Sequence, residues 1–291
     1  MSYTIKIADI NNPDIDLALR NLIKVANNST NLLPENFLSV NLDSRASKPG
    51  FFLVAEENNE MIGCNGFLAN DFLVHDINYV GYQSCWSATH PDHRGKNVFT
   101  TIINEAKKIL KEQGAGFLYG IANNRSNPIF TGKLGFLETA SLVLRIPNIP
   151  FVKHLFFTEK LLHNNSACII DEAQVQKHKA AQFPSAVKVI RYNDSWLWGK
   201  LIYKKKFGIK LPVFYVGGVQ LVTEKDLKGL ISGVFKSNSV LFIQLLSCKT
   251  NSFNVLLKGW KKSKMNGFIF YNLNMPEVKY FNLMIGPLDI F

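Results

Sequence analysis

The segment that most constrains the fold runs from a strand-like stretch at 78–89, through a short basic turn at 90–97, into a helical pattern. A glycine in that turn, Gly95, stands between Arg94 and Lys96. Backbone N–H groups at a helix start are unpaired, and the helix dipole adds partial positive charge beside them. This is a geometry that binds phosphate, although one glycine between two basic residues also occurs in ordinary surface turns.

Two motifs in this part of the chain resemble the acyl-CoA-binding core of the GNAT N-acyltransferase superfamily. The run Arg94–Phe99, preceded by His90-Pro91-Asp92, is similar to the superfamily turn Arg/Gln-x-x-Gly-x-Gly/Ala. The run Asn127–Phe136 is similar to its Asn…Lys-Leu-Gly-Phe segment. The motifs stand in the family's order, separated by a predicted helix and strand. The resemblance covers residues 3–146 well and the remainder faintly.

The resemblance implies an α/β (α+β) fold with a GNAT-type mixed sheet. In that sheet the strand at 84–89 splays from the strand at 117–122 to form a V-shaped cleft. The pantetheine arm of acyl-CoA would pair with the first strand, where a backbone N–H near Cys85 or Trp86 would polarise the thioester carbonyl. The residues that the resemblance implies for acyl-CoA binding are Cys85, Trp86, Ser87, Ala88, Thr89, Arg94, Gly95, Lys96, Asn97, Val98, Phe99, Asn127 and Phe130.

The chain departs from the family pattern in the turn itself. Asn97 and Phe99 stand where glycine or alanine is usual. Asparagine adopts the left-handed backbone region more readily than most residues, whereas phenylalanine does not. As the first apolar residues of the predicted helix, Val98 and Phe99 are expected to turn inward, which would leave the turn open.

The second departure concerns proton transfer. Gln83 occupies the position where many relatives place a base glutamate, and Thr131 replaces the tyrosine that often protonates the thiolate. Neither side chain titrates near neutral pH. Either the proton leaves through a water chain or another group takes it, and His75 and Asp71 are the predicted catalytic candidates. His90, next to a proline, fits a structural role better.

The net charge of +11 lies almost entirely in the second half. Residues 1–150 hold 13 Lys/Arg against 14 Asp/Glu, and residues 151–291 hold 20 against 8. The second half is therefore expected to face an anionic partner, of which nucleic acid, an anionic membrane surface and a nucleotide diphosphate are examples. A solvated basic face without a partner is the alternative.

Composition restricts the class of protein further. A chain of 291 residues with 47% hydrophobic content fits two globular domains. No apolar run reaches the roughly 18 residues of a membrane span, and the N-terminal residues do not form a secretory signal. The four cysteines are scattered without Cys-x-x-Cys spacing, so we expect reduced thiols in the cytoplasm and no metal site.

Three segments are predicted along the chain: an acyl-CoA-binding domain at 1–148, a connection at 149–185 and a basic, degenerate GNAT-like domain at 186–291. The second half has no Arg-x-x-Gly-x-Gly turn, so no second coenzyme site is expected. Its alternation predicts strands near 187–191, 212–216, 239–246, 267–272 and 280–285, with helices starting at Asp194 and spanning 254–264. In the first half, helices are predicted from Pro13 and near Pro34, and Phe136–Ile146 as one strand.

The tandem arrangement weakly resembles N-acyltransferases of bacterial cell-surface polysaccharide pathways, which acylate the amine of a nucleotide-linked sugar. The function predicted from this resemblance is direct transfer of an acyl group from acyl-CoA to such an amine. The expected partners are acyl-CoA and an anionic small-molecule acceptor, rather than a membrane or nucleic acid. Two alternatives stay open: acylation of a small amine, antibiotic or protein N-terminus, and a CoA-binding or nucleic-acid-binding module that has lost catalysis.

Overall fold

The described residues of the computed structural model form two compact units, each assembled from separate parts of the chain. Unit 1 comprises Met1–Phe72, Asn78–Glu138 and Ile269–Pro276, and unit 2 comprises Leu73–Ile77, Thr139–Phe268 and Glu277–Phe291. The residues that the structure describes are 3–35, 37–42, 46–74, 77–149, 155–158, 166–169, 187–206, 208–249, 252–263, 267–276 and 280–282.

Unit 1 is built around a mixed sheet with the strand order β1-β2-β3-β4-β5-β14-β6. Its elements are β1 (Thr4–Ile7), α1 (Pro13–Ala26), α2 (Phe37–Leu42), β2 (Phe51–Glu57), β3 (Glu60–Val74), β4 (Ile77–Thr89), α3 (Val98–Glu112), β5 (Phe117–Ile121), β6 (Leu137–Thr139) and β14 (Phe268–Asn272), with single helical turns at Pro91–His93 and Ile129–Lys133.

Both long helices of unit 1 form where the sequence predicts them. The side chain of Asn12 caps α1 by accepting a hydrogen bond from the Asp14 backbone N–H, and Pro13 starts the helix. In α3 the buried residues recur at helical spacing and pack against the sheet; they are Val98, Ile102, Ile103, Ala106 and Leu110. This packing fixes the start of α3 beside the end of β4.

The predicted strand Phe136–Ile146 is in fact two strands in two different sheets, so that prediction was wrong. β6 joins the first sheet, whereas β7 (Ser141–Pro147) pairs with the second sheet. In return β14, from the second half of the chain, lies between β5 and β6. The physical reason is burial: Leu144 and Ile146 of β7 are at most 1% exposed and belong to the core of unit 2. The compact units therefore differ from the continuous domains predicted at 1–148 and 186–291 in three segments, which are 73–77, 139–148 and 269–276.

Unit 2 contains the second mixed sheet, with the order β13-β7-β12-β11-β10-β9, and one long helix packed on it. Its remaining elements are β8 (Ser166–Ile169), β9 (Val187–Tyr192), β10 (Ser195–Lys206), β11 (Ile209–Gln220), α4 (Asp226–Ser237), β12 (Phe242–Cys248), β13 (Lys261–Lys262) and β15 (Tyr280–Asn282), with a helical turn at Ser252–Leu256. The connection predicted at 149–185 lies largely outside the described residues.

Two helices predicted in the second half are absent at their predicted positions. The segment starting at Asp194 leads into strand β10, which is paired on both sides, by β9 and β11, and buries Trp198 completely. The predicted helix 254–264 is a single turn that ends before Gly259, whose φ of +87° is incompatible with continued right-handed helix. Among the described residues of unit 2, the long helix is α4, which the sequence analysis did not identify.

Cys64 is a buried free thiol. Burial raises the pKa of the Cys64 thiol to about 12, so this group is an inert part of the core. Within the described part of the chain, no helix has the length and apolar character needed to cross a membrane, and no group of His, Cys, Asp or Glu is arranged to hold a metal ion.

Candidate functional site

The turn between β4 and α3 contains two residues in the left-handed backbone region. Gly95 has φ +79°, and Asn97 has φ +58° and ψ +14°. Asn97 is the N-cap residue of α3, yet its side chain makes no capping hydrogen bond, and the first turn of α3 contains no acidic residue. The amides that open α3 therefore keep the electropositive character that binds an anion.

The basic residues of the turn have different surroundings. Arg94 is exposed, and its Nη2 donates to the backbone oxygen of Ala26, at the end of α1, over 2.6 Å. Lys96 is half-buried. Arg94 thus ties the turn to α1 and also adds charge to it. His90 uses Nδ1 to accept a hydrogen bond from the Asp92 backbone N–H, which fits the structural role expected for it.

The Phe99 ring lies against the core of unit 1. It meets the ring of Phe130 edge-to-face at 5.3 Å between centroids, and it is half-buried there. A methyl group added at Gly95 would have no atom within 4 Å, so the turn is open on that side. The departures at Asn97 and Phe99 are therefore compatible with an open turn that approaches a phosphate closely.

The parallel ladder between β4 and β5 is short. It pairs three residues of each strand and ends at Gln83 and Tyr119, although β4 continues to Thr89. Beyond that pair the two strands no longer form a ladder, as the V-shaped splay requires. We call the end of this ladder, at Gln83 and Tyr119, the first fork. The first fork lies within β4, and the end of β4 leads through the turn into α3.

Trp86, three residues past the first fork, has φ +46°, which is rare for a bulky residue. Its ring stacks on Phe52 at 5.8 Å and meets Phe37 edge-to-face at 5.9 Å. A left-handed non-glycine residue costs about 1–3 kcal/mol, and such strain concentrates at functional sites. The strained residue is one of the two at which the resemblance places the N–H that polarises the carbonyl.

Asn65 of β3 holds the strand on both sides of this strained residue. It is completely buried, and its Oδ1 accepts hydrogen bonds from Ser84 Oγ, at 3.1 Å, and from Ser87 Oγ. Its Nδ2 donates to the backbone oxygen of Gly66 at 2.8 Å. The sequence analysis missed Asn65; the available signal was a polar residue in the middle of the apolar strand β3.

The other predicted residues of the strand have a mixed environment. Cys85 is half-buried beside the core, and Ser87 is exposed. Ala88 is 5% exposed, and Thr89 is half-buried. The strand therefore contributes to the site through its backbone more than through these side chains.

Asn127 lies at the start of the helical turn Ile129–Lys133. Its Nδ2 donates to Glu138 Oε2 at 2.9 Å, and its Oδ1 is buried without a hydrogen-bond partner among the described residues. An unsatisfied buried acceptor is a place where a ligand donor would be stabilised. Thr131 Oγ1 donates to the Asn127 backbone oxygen, so this hydroxyl already has a structural role.

Phe130 is 3% exposed and packs between Phe99 and Phe136. Its burial is incompatible with the direct coenzyme contact predicted for it, because the ring has almost no surface to offer. Its place in the core supports the start of α3 instead, through the contact with Phe99.

Of the two predicted catalytic candidates, Asp71 lies in the described part of the chain. Asp71 accepts two hydrogen bonds from Ser47, from its backbone N–H at 2.9 Å and from its Oγ at 2.8 Å. His75 lies outside the described residues. Gln83, which stands at the usual glutamate position, is 3% exposed.

The comparisons with known proteins agree with this geometry. Residues 9–138 match the family model described as an acetyltransferase (GNAT) domain. No curated protein matches the chain by sequence.

Solved structures with the same fold cover nearly the whole chain. A conserved protein of Enterococcus faecalis V583, described as a probable N-acyltransferase, aligns over 94% of this chain and 74% of its own, with a TM-score of 0.65 and 12% identity. A GCN5-related N-acetyltransferase of Anabaena variabilis aligns over 94% and 73%, with a TM-score of 0.62 and 11% identity. Eis1 of Mycobacterium abscessus aligns over 94% and 74%, with a TM-score of 0.59 and 12% identity.

At such low identity these structures establish the fold alone. The expected fold class is confirmed: the chain is mixed α/β with two GNAT-like domains.

Proposed function

Since residues 9–138 form a GNAT acetyltransferase domain, we propose that the protein is an N-acyltransferase that moves an acyl group from acyl-CoA to an amine. The observation that carries this proposal is the open start of α3, with Gly95 and Asn97 in the left-handed region, following a strand whose parallel ladder ends early. A diphosphate and an extended arm bound in this arrangement would lie side by side.

The chain binds the coenzyme's diphosphate with the backbone N–H groups that open α3. Gly95 allows close approach because its missing Cβ leaves open space. Lys96 supplies a full charge beside these amides, and Arg94 adds a second while it anchors the turn to α1. Asn127 Oδ1, a buried acceptor that has no hydrogen-bond partner among the described residues, would receive a donor from the coenzyme arm.

The strained segment around Trp86 supplies the group that polarises the thioester carbonyl. A backbone N–H held in fixed orientation stabilises the oxyanion without reorganisation during the reaction. Asn65 fixes that orientation, because its Oδ1 binds the hydroxyls of Ser84 and Ser87 on either side of Trp86. The amine attacks the carbonyl directly in a ternary complex, and Cys85 is not required as a nucleophile.

The proton of the attacking amine leaves either through a water chain or to another titratable group. Gln83 and Thr131 do not titrate near neutral pH, and Thr131 is already bonded to the Asn127 backbone oxygen. Asp71 and His75 stay candidates for the general base, with Asp71 oriented by Ser47.

The acceptor that we propose is the amine of an amino sugar linked to a nucleotide diphosphate, the substrate of a cell-surface polysaccharide pathway in the cytoplasm. The support is the charge of residues 151–291, which hold 20 Lys/Arg against 8 Asp/Glu. An anionic acceptor is attracted by such a charge, whereas a cationic polyamine or aminoglycoside is repelled.

The proposal is tested by thermal shift of the full chain with CoA, acetyl-CoA and a panel of nucleotide-linked amino sugars. Binding to the native state raises the melting temperature by mass action. We expect a shift with both CoA compounds and release of free thiol when a suitable acceptor is added. The absence of any shift with CoA or its esters would refute the enzyme function, and a shift without acyl transfer to any amine would indicate a binding module.

A further inference from the structure

Unit 2 has a parallel ladder with the same layout as the first fork. β11 and β12 pair over three residues, and the pairing ends at Tyr215 and Gln244. We call the end of this ladder the second fork. On the other side of β12, Gln244 pairs with Arg145 of β7. Residues directly opposite each other in a sheet project to the same face, so Tyr215, Gln244 and Arg145 share one face.

Two cations converge on a single amide at the second fork. Arg145 Nε and Lys204 Nζ each donate to Gln244 Oε1 at 3.1 Å. Gln244 Nε2 donates to Tyr215 OH at 2.8 Å, and Lys204 Nζ lies 4.9 Å from the centre of the Tyr215 ring. Gln244 is 94% buried, so the platform that orients these groups is part of the sheet and not a mobile surface side chain.

The cluster carries two positive charges and no negative one. Among the described residues, neither Arg145 nor Lys204 forms an ion pair with a carboxylate. A neutral amide oxygen offsets the repulsion between two cations only in part. Arg145 still has its terminal guanidinium nitrogens, and Tyr215, which accepts from Gln244, can donate its own hydroxyl proton. Arg145 is exposed, so a ligand reaches the cluster from solvent.

The opposite face of the same strands packs into the core of unit 2. Phe214, Ile243 and Leu245 are fully buried there, in the core that contains α4. The strands are therefore fixed from one side by packing, and they present Arg145, Lys204, Gln244 and Tyr215 from the other. Three donor side chains, Arg145, Lys204 and Tyr215, are held around Gln244 on a rigid sheet with an excess of positive charge, which matches the requirements of a phosphate group.

We propose that Arg145, Lys204, Tyr215 and Gln244 form a binding site for a phosphate or diphosphate group, and that this group belongs to the acceptor substrate. This inference rests on the proposed function only for the identity of the ligand. The anion site itself is defined by unit 2 alone.

The test is calorimetric titration of inorganic pyrophosphate into the full chain, with and without saturating CoA. Arg145→Gln and Lys204→Gln each remove one charge from the cluster, and each is expected to raise the Kd for pyrophosphate about tenfold or more, since charge-assisted hydrogen bonds of this kind are lost. Lys204→Arg keeps the charge and is expected to weaken pyrophosphate binding less than Lys204→Gln does.

Lys205→Gln is the matched control, because Lys205 is the exposed next residue of the same strand and projects to the other face. It is expected to change the Kd by less than about twofold. Equal weakening by Lys205→Gln and Lys204→Gln would show diffuse attraction to a basic protein and would overturn the site. Lack of pyrophosphate binding in the presence of CoA would also overturn it.

The titrations with CoA present distinguish a failure of this inference from a failure of the proposed function. If CoA binds but pyrophosphate binding is insensitive to Arg145 and Lys204, the anion site is refuted and the acyltransferase proposal stands. If Arg145→Gln and Lys204→Gln weaken pyrophosphate binding in a chain that does not bind CoA, the anion site stands and the acyltransferase proposal is refuted. Weakened CoA binding in both variants would assign the cluster to the phosphates of CoA and overturn the acceptor assignment.

Discussion

The two units use the same strand–turn–helix connection in opposite ways. In unit 1, β4 leads into α3 through a turn whose amides are not capped by Asn97. In unit 2, β11 leads into α4, and the first turn of that helix contains Asp226. The Asp226 carboxylate accepts hydrogen bonds from Ser195 Oγ and Asn193 Nδ2, both at 2.7 Å. The hydrogen bond from Ser195 is the main reason that the pKa of Asp226 lies below its usual value.

A carboxylate in the first helical turn offsets the partial positive charge of the helix N-terminus with a negative charge from the protein itself. The start of α4 therefore already has a carboxylate beside it, whereas the first turn of α3 contains no acidic residue. This difference agrees with the expectation that the turn before α3 binds a coenzyme diphosphate and that the start of α4 does not, although both units have the same fold. The anion site that we propose for unit 2 accordingly lies on the strand face around Gln244 and not at the start of α4.

The largest effect is expected from Asn65→Ala, which removes the acceptor for Ser84 and Ser87 at the first fork. Misplacing the polarising N–H should lower kcat for acyl transfer about a hundredfold. The Kd of CoA should change less than about threefold, because the turn before α3 is untouched. Steady-state kinetics and calorimetry with CoA measure the two quantities.

Leu110→Ala is the control for Asn65→Ala, since it destabilises unit 1 by opening a cavity at the far end of α3. An equal fall of kcat in both variants would mean that Asn65 acts through stability alone.

The next effect is expected from Asn97→Val, because a β-branched residue is strained at φ +58°. The turn would move to relieve this strain, and CoA affinity should fall about tenfold or more, given a strain of roughly 1–2 kcal/mol. Asn97→Gly permits the same backbone angles and should keep CoA affinity. Calorimetric titration with CoA checks both variants, and similar affinities would show that the coenzyme does not depend on this turn.

Gly95→Ala is a milder test of the same turn and has a matched partner elsewhere in unit 1. Gly95 and Gly114 have φ values of +79° and +73°, and an added Cβ meets no atom within 4 Å at either position. Both substitutions should cost about 1 kcal/mol of stability. Gly95→Ala alone should weaken CoA binding, by about fivefold to tenfold. Loss of affinity in Gly114→Ala as well would attribute the effect to unfolding, which thermal melts monitor.

The smallest effect on activity is expected from Asp226→Asn in unit 2. The pKa of Asp226 is lower in the folded chain than in the unfolded chain, so its contribution to stability is present above the unfolded value and is lost as the pH falls through the folded value. In Asp226→Asn, the free energy of unfolding should fall less as the pH is lowered, while CoA binding stays unchanged. Urea unfolding between pH 7 and pH 3 measures this free energy. The same loss of stability at low pH in Asp226→Asn and in the unchanged protein would show that another carboxylate causes it.

Sequence patterns predicted the parts of the fold that depend on neighbouring residues. The helix α1 follows from Asn12, Pro13 and a regular apolar spacing, and α3 from its own apolar spacing. The turn at 94–97 was predicted from Gly95 and its basic neighbours. Local preferences decide these elements because their caps and buried faces lie within one segment of chain.

Patterns failed where pairing partners are distant in sequence. A helix was predicted to start at Asp194, yet the segment leads into a strand paired with β9 and β11, which contains Trp196 and Trp198. The role of Asn65 depends on serines about twenty residues away, and the burial of Phe130 depends in part on the Phe99 ring of α3. No local preference encodes these contacts.

The sequence by itself determined the basic turn, the helix that follows it and the concentration of positive charge in the second half. Only the tertiary structure decided that β7 and β14 exchange sheets, that Asn65 braces the strand around Trp86, and that Arg145 and Lys204 meet at Gln244. The reason is physical: charge and helical periodicity are properties of adjacent residues, whereas a shared hydrogen-bond acceptor exists only after distant strands have paired.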